Sequence, residues 1–157
     1  QPQYSALWRV IEAEVVPLSE REGIGQIVWS PMAQGVLTGK YLPGKKAPAG
    51  SRATDKKSGA AMISRWMKDD VLEAVQLLKP IAESVDLSMS QMALAWVLQN
   101  PNISSAIMGA TKPAQIKDNV KASGVKLPPE VMKAIDGAIG KVAERDPKKN
   151  VSPNPRP

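Results

Sequence analysis

Two stretches of this sequence combine residue types suited to holding an anionic ligand. The first runs from Trp29 and Ser30 through Pro31, Met32, Ala33, Gln34, Gly35, Val36, Leu37, Thr38 and Gly39 to Lys40. Small residues let a backbone approach a ligand closely. Lys40 and, further along, Arg52 add positive charge to the same region. The pattern is not a Walker phosphate loop: the glycine spacing differs, and Lys40 precedes Tyr41 rather than Ser or Thr. An ordinary surface loop with turn glycines would read the same way. Should the loop hold a cofactor, Trp29 would stand where an indole can stack on a planar ring.

The second stretch is Gly109-Ala110-Thr111-Lys112-Pro113-Ala114-Gln115-Ile116-Lys117-Asp118-Asn119. An apolar run here passes through a glycine straight into a helix start. The first turn of a helix offers free backbone N–H groups and a partial positive charge, which together favour a phosphate. Lys112 and the Thr111 hydroxyl sit where they could grip one. Gln115 and Asn119 are four residues apart, so they share a helix face and could bond the edge of a base. The competing reading is equally concrete: Thr111 merely caps the helix, and Lys112 and Asn119 are solvated.

Composition narrows the chemistry. The chain has no histidine and no cysteine, which removes Ser-His-Asp and Cys-His catalysis, the usual zinc sites and any disulfide framework. The expected compartment is the cytoplasm, and no catalytic or metal-binding residue is assigned. No stretch approaches the roughly 20 apolar residues of a membrane span. The net charge of +6 comes largely from clusters such as Lys45-Lys46, Lys56-Lys57 and Lys148-Lys149. The four tryptophans do not interleave with them, so no nucleic acid is expected as a partner. Gln1 in place of methionine reads as a chain whose translation began upstream.

The elements that must position both stretches follow from periodicity. Gln26–Trp29 reads as a short buried strand, and Ser105–Met108 as a second, closed by Gly109. Val71, Val75, Leu78, Ala82 and Val85 mark one face of a helix from about Asp69 to Val85, kinked by Pro80. Ser88 with Gln91 is a capping box opening a helix that carries Trp96 on its apolar face. Thr111-Lys112-Pro113 and Leu127-Pro128-Pro129 start two more. A first helix lies within Ile11–Glu22, with Glu12, Glu14, Glu20 and Glu22 facing solvent. Residues 31–68 hold five glycines and three prolines without sustained periodicity, the mark of a long functional or disordered loop. The segment from Asp146 to Pro157 is expected to be extended and mobile. Strands alternating with helices imply a parallel sheet, and two parallel strands cannot make one alone. Other polypeptide must complete it.

Taken together, the motifs are recognisable. The run Trp29–Tyr41 resembles the loop after the seventh strand of aldo-keto reductases, in the version of the bacterial members and the potassium-channel β-subunits. Gly50-Ser51-Arg52 resembles a motif further along that loop, and Ile107–Asn119 resembles the end of strand eight with the helix that follows. Gln1–Ser5 is similar to the exit of strand six. Met32 and Asp118 stand where the family more often has Leu and Glu.

The resemblance implies an α/β fold, the C-terminal part of a (β/α)8 TIM barrel from the end of strand six through strand eight and the C-terminal helices. Residues 1–145 would form that half barrel, loop 30–68 would cover the cofactor, and 146–157 would be a flexible tail. It also implies NADP(H): Gln1 on the nicotinamide carboxamide, Trp29 against the ring, and Ser30, Met32, Ala33, Gly35 and Leu37 along the pyrophosphate. Lys40 and Arg52 would bind phosphates, Thr111 and Lys112 the 2′-phosphate, and Gln115 and Asn119 the adenine. Pro31, Gly109, Ala110 and Asp118 complete the implied set. The parent activity would be reduction of a small-molecule carbonyl substrate, with the family's Asp, Tyr, Lys and His carried by a missing N-terminal half. The alternatives are a non-catalytic cofactor-binding or regulatory half-barrel, and a subunit completed by a partner chain.

Overall fold

The computed structural model describes residues 1–150. Its centre is a parallel pair of strands, β1 (Gln26–Trp29) and β2 (Ile103–Ile107). Trp29 lies opposite Ile107, so both strands end at the same level. A third segment runs beside β1: Tyr4 N–H donates to the Trp29 carbonyl at 3.2 Å, and Trp29 N–H to the Pro2 carbonyl at 3.1 Å. The lateral order is residues 2–4, then β1, then β2.

β1 is not the fully buried strand expected from its composition. Val28 is fully buried, whereas Ile27 and Trp29 are each 40% exposed, and their neighbour Ile107 is 48% exposed. The cause is one-sided packing. Val28 joins the core, while the face carrying Ile27, Trp29 and Ile107 is left open.

The helices behave largely as their patterns require. α1 (Val15–Arg21) tolerates Pro17 because the proline falls in the first turn, where its missing N–H has no intrahelical acceptor. Loop residues 31–68 are not structureless. They contain 3-10 turns at Ala33–Thr38, Arg52–Thr54 and Ser64–Trp66, and a short helix α2 (Gly59–Ile63). The helix expected across 69–85 is divided into α3 (Asp69–Gln76) and α4 (Leu78–Glu83), with the break one turn before Pro80. Val71, Val75, Leu78 and Ala82 are buried on the shared face.

α5 (Met89–Leu98) opens with the capping box in place: Gln91 N–H donates to Ser88 Oγ at 3.2 Å, and Ser88 N–H to Gln91 Oε1 at 3.0 Å. Residues 91–97 are all buried, Trp96 among them, so α5 is enclosed on every side. α6 (Pro113–Asn119) and α7 (Pro129–Ile139) follow β2, and α7 buries Val131, Ile135 and Ile139. Among the described residues no helix is long and apolar enough to cross a membrane.

Two corrections concern the chain ends. Pro147–Lys149 form a 3-10 turn, not an extended segment, because Asp146 accepts from Lys148 N–H at 3.0 Å. The remainder of the expected tail, 151–157, lies outside the described residues. Glu12 does not face solvent. Its Oε1 accepts from Tyr4 Oη and from Arg9 Nε, each at 2.8 Å.

Glu12 belongs to a clamp between the two ends of the chain. Arg9 also donates to Asp136 of α7, and its guanidinium lies 5.0 Å from the Trp96 ring. Backbone bonds reinforce the contact, from Arg9 N–H to the Glu144 carbonyl and from Glu144 N–H to the Leu7 carbonyl. Burial, and then the Glu12 carboxylate, push the Tyr4 phenol well above its ordinary value, so it stays a donor. Arg9→Met keeps the apolar stem but removes the charged donors. It is expected to lower unfolding free energy by about 2 kcal/mol, read as a reduced urea midpoint; an unchanged midpoint would show the clamp to be neutral.

Candidate functional site

Because β1 and β2 are parallel and end together, the loops leaving them meet. Between these loops lies a cleft of about 560 Å³. Strand ends of this kind are where α/β folds place ligands.

One wall is the loop after β1. Ser30, Ala33 and Gln34 have φ of 56°, 47° and 56°, in the left-handed region that L-residues avoid. Such conformations cost roughly 1–3 kcal/mol each and persist where the surroundings enforce them. Gln34 supplies much of that enforcement: its Nε2 donates to Ser30 Oγ at 2.9 Å, and its Oε1 accepts from Trp66 Nε1 at 3.1 Å. Gly35 has φ of 98°, and a Cβ there would stand 3.3 Å from Lys40 Nζ. The ammonium is thus drawn close over the loop. At the loop's end, Gln76 Nε2 donates to the carbonyls of Gly39 and Tyr41.

A second wall comes from Gly50, Ser51 and Arg52. Asp55 holds this segment in shape, its carboxylate accepting from the N–H groups of Lys57 and Gly59, both at 3.0 Å, and from Ser58 Oγ. A Cβ on Gly59 would lie 2.5 Å from the Arg52 carbonyl oxygen, so only glycine fits there. The Ser51 hydroxyl is buried and has no hydrogen-bond partner among the described residues.

The third wall is the exit of β2, Ile107 to Thr111, with the start of α6. Lys112, not Thr111, is the N-cap residue. The reason is local: Gln115 Oε1 reaches back to accept from Thr111 N–H at 2.8 Å, Thr111 Oγ1 at 3.2 Å and Lys112 N–H at 3.2 Å. Three donors converge on one side-chain oxygen. Asp118 is fixed separately, since its carbonyl and Oδ1 both accept from Gln91 Nε2 of the α5 capping box.

Of the residues implicated by sequence, Trp29, Ser30, Pro31, Met32, Gly35, Lys40, Arg52, Gly109, Ala110, Thr111, Gln115, Asp118 and Asn119 line this one cleft. Four do not. Ala33 and Leu37 point into the core, at 0% and 1% exposure. Gln1 is exposed beside the cleft, its carbonyl accepting from Trp29 Nε1 at 3.1 Å. Lys112 is exposed at its rim. Sequence reasoning gave no site role to Gln34, Thr38, Gly50, Ser51, Ser90, Ile107 and Met108, which also line the cleft. Gln34 lay inside the glycine-rich run and was legible there. Ser90 reaches the cleft only through the tertiary packing of α5, for which no local signal exists.

With this geometry in view, comparison with known proteins settles the family. A sequence model described as the aldo/keto reductase family matches residues 1–139. The chain belongs to the aldo/keto reductase family. It is similar to a probable voltage-gated potassium channel subunit beta of Oryza sativa subsp. japonica, 44% identical over 88% of this chain and 43% of that protein. It is also similar to an L-glyceraldehyde 3-phosphate reductase of Escherichia coli (strain K12), 33% identical over 78% of this chain and 35% of that protein. In fold it matches a glycerol dehydrogenase from Gluconobacter oxydans with a TM-score of 0.68 and 24% identity, over 99% of this chain and 45% of that one. This aldo/keto reductase chain therefore spans less than half the length of each relative.

The Asp55 staple gives a prediction. Hydrogen bonds from the Lys57 and Gly59 N–H groups hold its carboxyl below the ordinary carboxylate range. A depressed folded-state value means the contribution is present above the unfolded value and lost as pH falls through the folded one. Amide protection factors at Lys57 and Gly59, corrected for the intrinsic pH dependence of exchange, are expected to fall over that acidic range, and at neutral pH in Asp55→Ala, while α5 stays protected. Exchange at both amides that ignores the Asp55 substitution would contradict the staple.

Proposed function

We propose that this chain is the C-terminal part of a (β/α)8 aldo-keto reductase barrel, and that its cleft seats NADP(H). In the complete protein the bound nucleotide supplies a hydride to an aldehyde or ketone. The observation that carries the reading is the convergence of three walls on one cleft, each contributing anion-binding groups. Lys40 comes from the first, Arg52 and the unpartnered Ser51 hydroxyl from the second, and the Thr111 and Lys112 donors from the third.

The residues present suit a dinucleotide with a 2′-phosphate. Gln115 Oε1 occupies donors that a phosphate oxygen would satisfy at least as well, since charge-assisted bonds are the stronger ones. Release from those donors frees Gln115 to join Asn119 on the same helix face, toward the base. Trp29, 40% exposed and anchored through its indole N–H to Gln1, offers a ring face to the nicotinamide end. Ala33 and Leu37 act by holding the backbone that borders the pyrophosphate, because their side chains are in the core.

The catalytic Asp, Tyr, Lys and His lie outside this chain under this reading. The chain has no histidine, and its two tyrosines, Tyr4 and Tyr41, are buried away from the cleft. The first half of the barrel would also cover the open face of Ile27, Trp29 and Ile107, the exposed Ile116 of α6 and the exposed Val120 just after it. The similarity to potassium-channel β-subunits favours a second reading, in which the cleft binds the nucleotide as a regulatory signal.

Turnover separates the two. The complete protein is expected to oxidise NADPH with small aldehydes, and binding without turnover would favour the regulatory reading. Selectivity tests the seat itself. Lys112→Ala is expected to weaken NADPH binding by about tenfold, the value of one charged hydrogen bond, and NADH binding much less. Equal losses for the two nucleotides would place the 2′-phosphate elsewhere.

A further inference from the structure

A second cleft, of about 830 Å³, lies between the end of the long loop and the C-terminal segment. Its floor is aromatic: Trp8 and Trp66 meet edge to face, with ring centroids 6.2 Å apart. The Arg65 guanidinium lies 4.6 Å from the centre of the Trp8 ring and 6.0 Å from that of Trp66. Trp66 is itself fixed from behind by its bond to Gln34.

The charge of this cleft is unbalanced. Among the described residues, Arg65, Lys68, Lys141 and Lys148 line it and none makes a salt bridge. Two acidic residues share the cleft, Glu144 and Asp70, against those four unpaired cations. Glu144 is paired with Lys149 and accepts from Asp146 N–H, and Asp70 accepts from Val71 N–H.

Arginine's position is the informative feature. A guanidinium close over an aromatic ring is attracted by the ring's quadrupole, which leaves its N–H donors available. Here the Trp8 ring is the nearer of the two to Arg65, and no described carboxylate pairs with that side chain. The planar fork of an arginine is matched to the two oxygens of a carboxylate or phosphate. The lysines come from separate segments, Lys68 before α3, Lys141 after α7 and Lys148 in the terminal turn. A single small anion would meet only part of that set.

We propose that this second cleft binds a small organic anion carrying two or more carboxylate or phosphate groups, with Arg65 as its principal anchor. The inference stands on residues outside the cofactor cleft and holds whether or not NADP(H) binds there.

The four tryptophans make the test direct. Indole N–H signals of the full-length protein would be followed by NMR during titration with citrate and, separately, with inorganic pyrophosphate at constant ionic strength. The Trp8 and Trp66 signals are expected to shift saturably with at least one probe, and the tighter one identifies carboxylate or phosphate as the preferred group. Arg65→Gln should weaken that binding by about tenfold, the loss of one charged hydrogen bond. The double variant Lys141→Gln/Lys148→Gln should weaken it independently, while Arg52→Gln in the first cleft should leave it unchanged. The proposal is overturned if neither probe shifts these signals saturably, or if Arg65→Gln, folded as judged by its spectrum, binds as tightly as the parent.

Discussion

The parallel register of Gln26–Trp29 against Ile103–Ile107 is the constraint from which the cleft follows. Parallel pairing puts both C-terminal ends on one edge and demands a long crossover between them. The chain uses that crossover to hold α2 to α5 and the looped segment 31–68. Trp29 and Ile107 then deliver two loops to the same place. An antiparallel pairing of the same strands would send the two loops to opposite ends, and no common cleft would form.

Given that register, the site is shaped by side chains that bond from one segment to another. Gln34, Asp55, Gln76, Gln91 and Gln115 each tie a loop to a neighbour through amide or carboxylate oxygens and nitrogens. The cationic groups Lys40 and Arg52 stay at the cleft, borne on segments made rigid by others. This division is economical: the residues that order the loops are mostly not those suited to grip a ligand. It also explains how non-glycine residues persist at positive φ in the first wall, where Gln34 links Ser30 to Trp66.

Much of this was legible in the sequence. The capping box at Ser88 and Gln91, the apolar spacing of α3, α4 and α7, and the glycine-rich exit of β1 are local signals and appear where the patterns place them. Less legible were features set by distant contacts. The half-exposure of β1 depends on what packs over Ile27 and Trp29, not on their apolar character. Glu12 looked like a solvated helix acid, yet Tyr4 and Arg9 bring it inward. Thr111 matched the preferred cap chemistry, yet Lys112 is the N-cap and the Thr111 hydroxyl donates to Gln115 Oε1, an outcome that residue preferences alone do not resolve. Neither strand pattern could reveal the aromatic-floored second cleft, which joins Trp8 to Trp66 and the C-terminal segment.

The most direct test of the central claim is a crystal structure of the complete protein with NADP+. The account expects the nucleotide to lie along the first cleft, with the nicotinamide against Trp29, the pyrophosphate beside Lys40 and Arg52, and the 2′-phosphate on the Thr111 and Lys112 donors now held by Gln115. Nucleotide bound outside this cleft, or lying in it with the adenine against Trp29, would contradict the assignment.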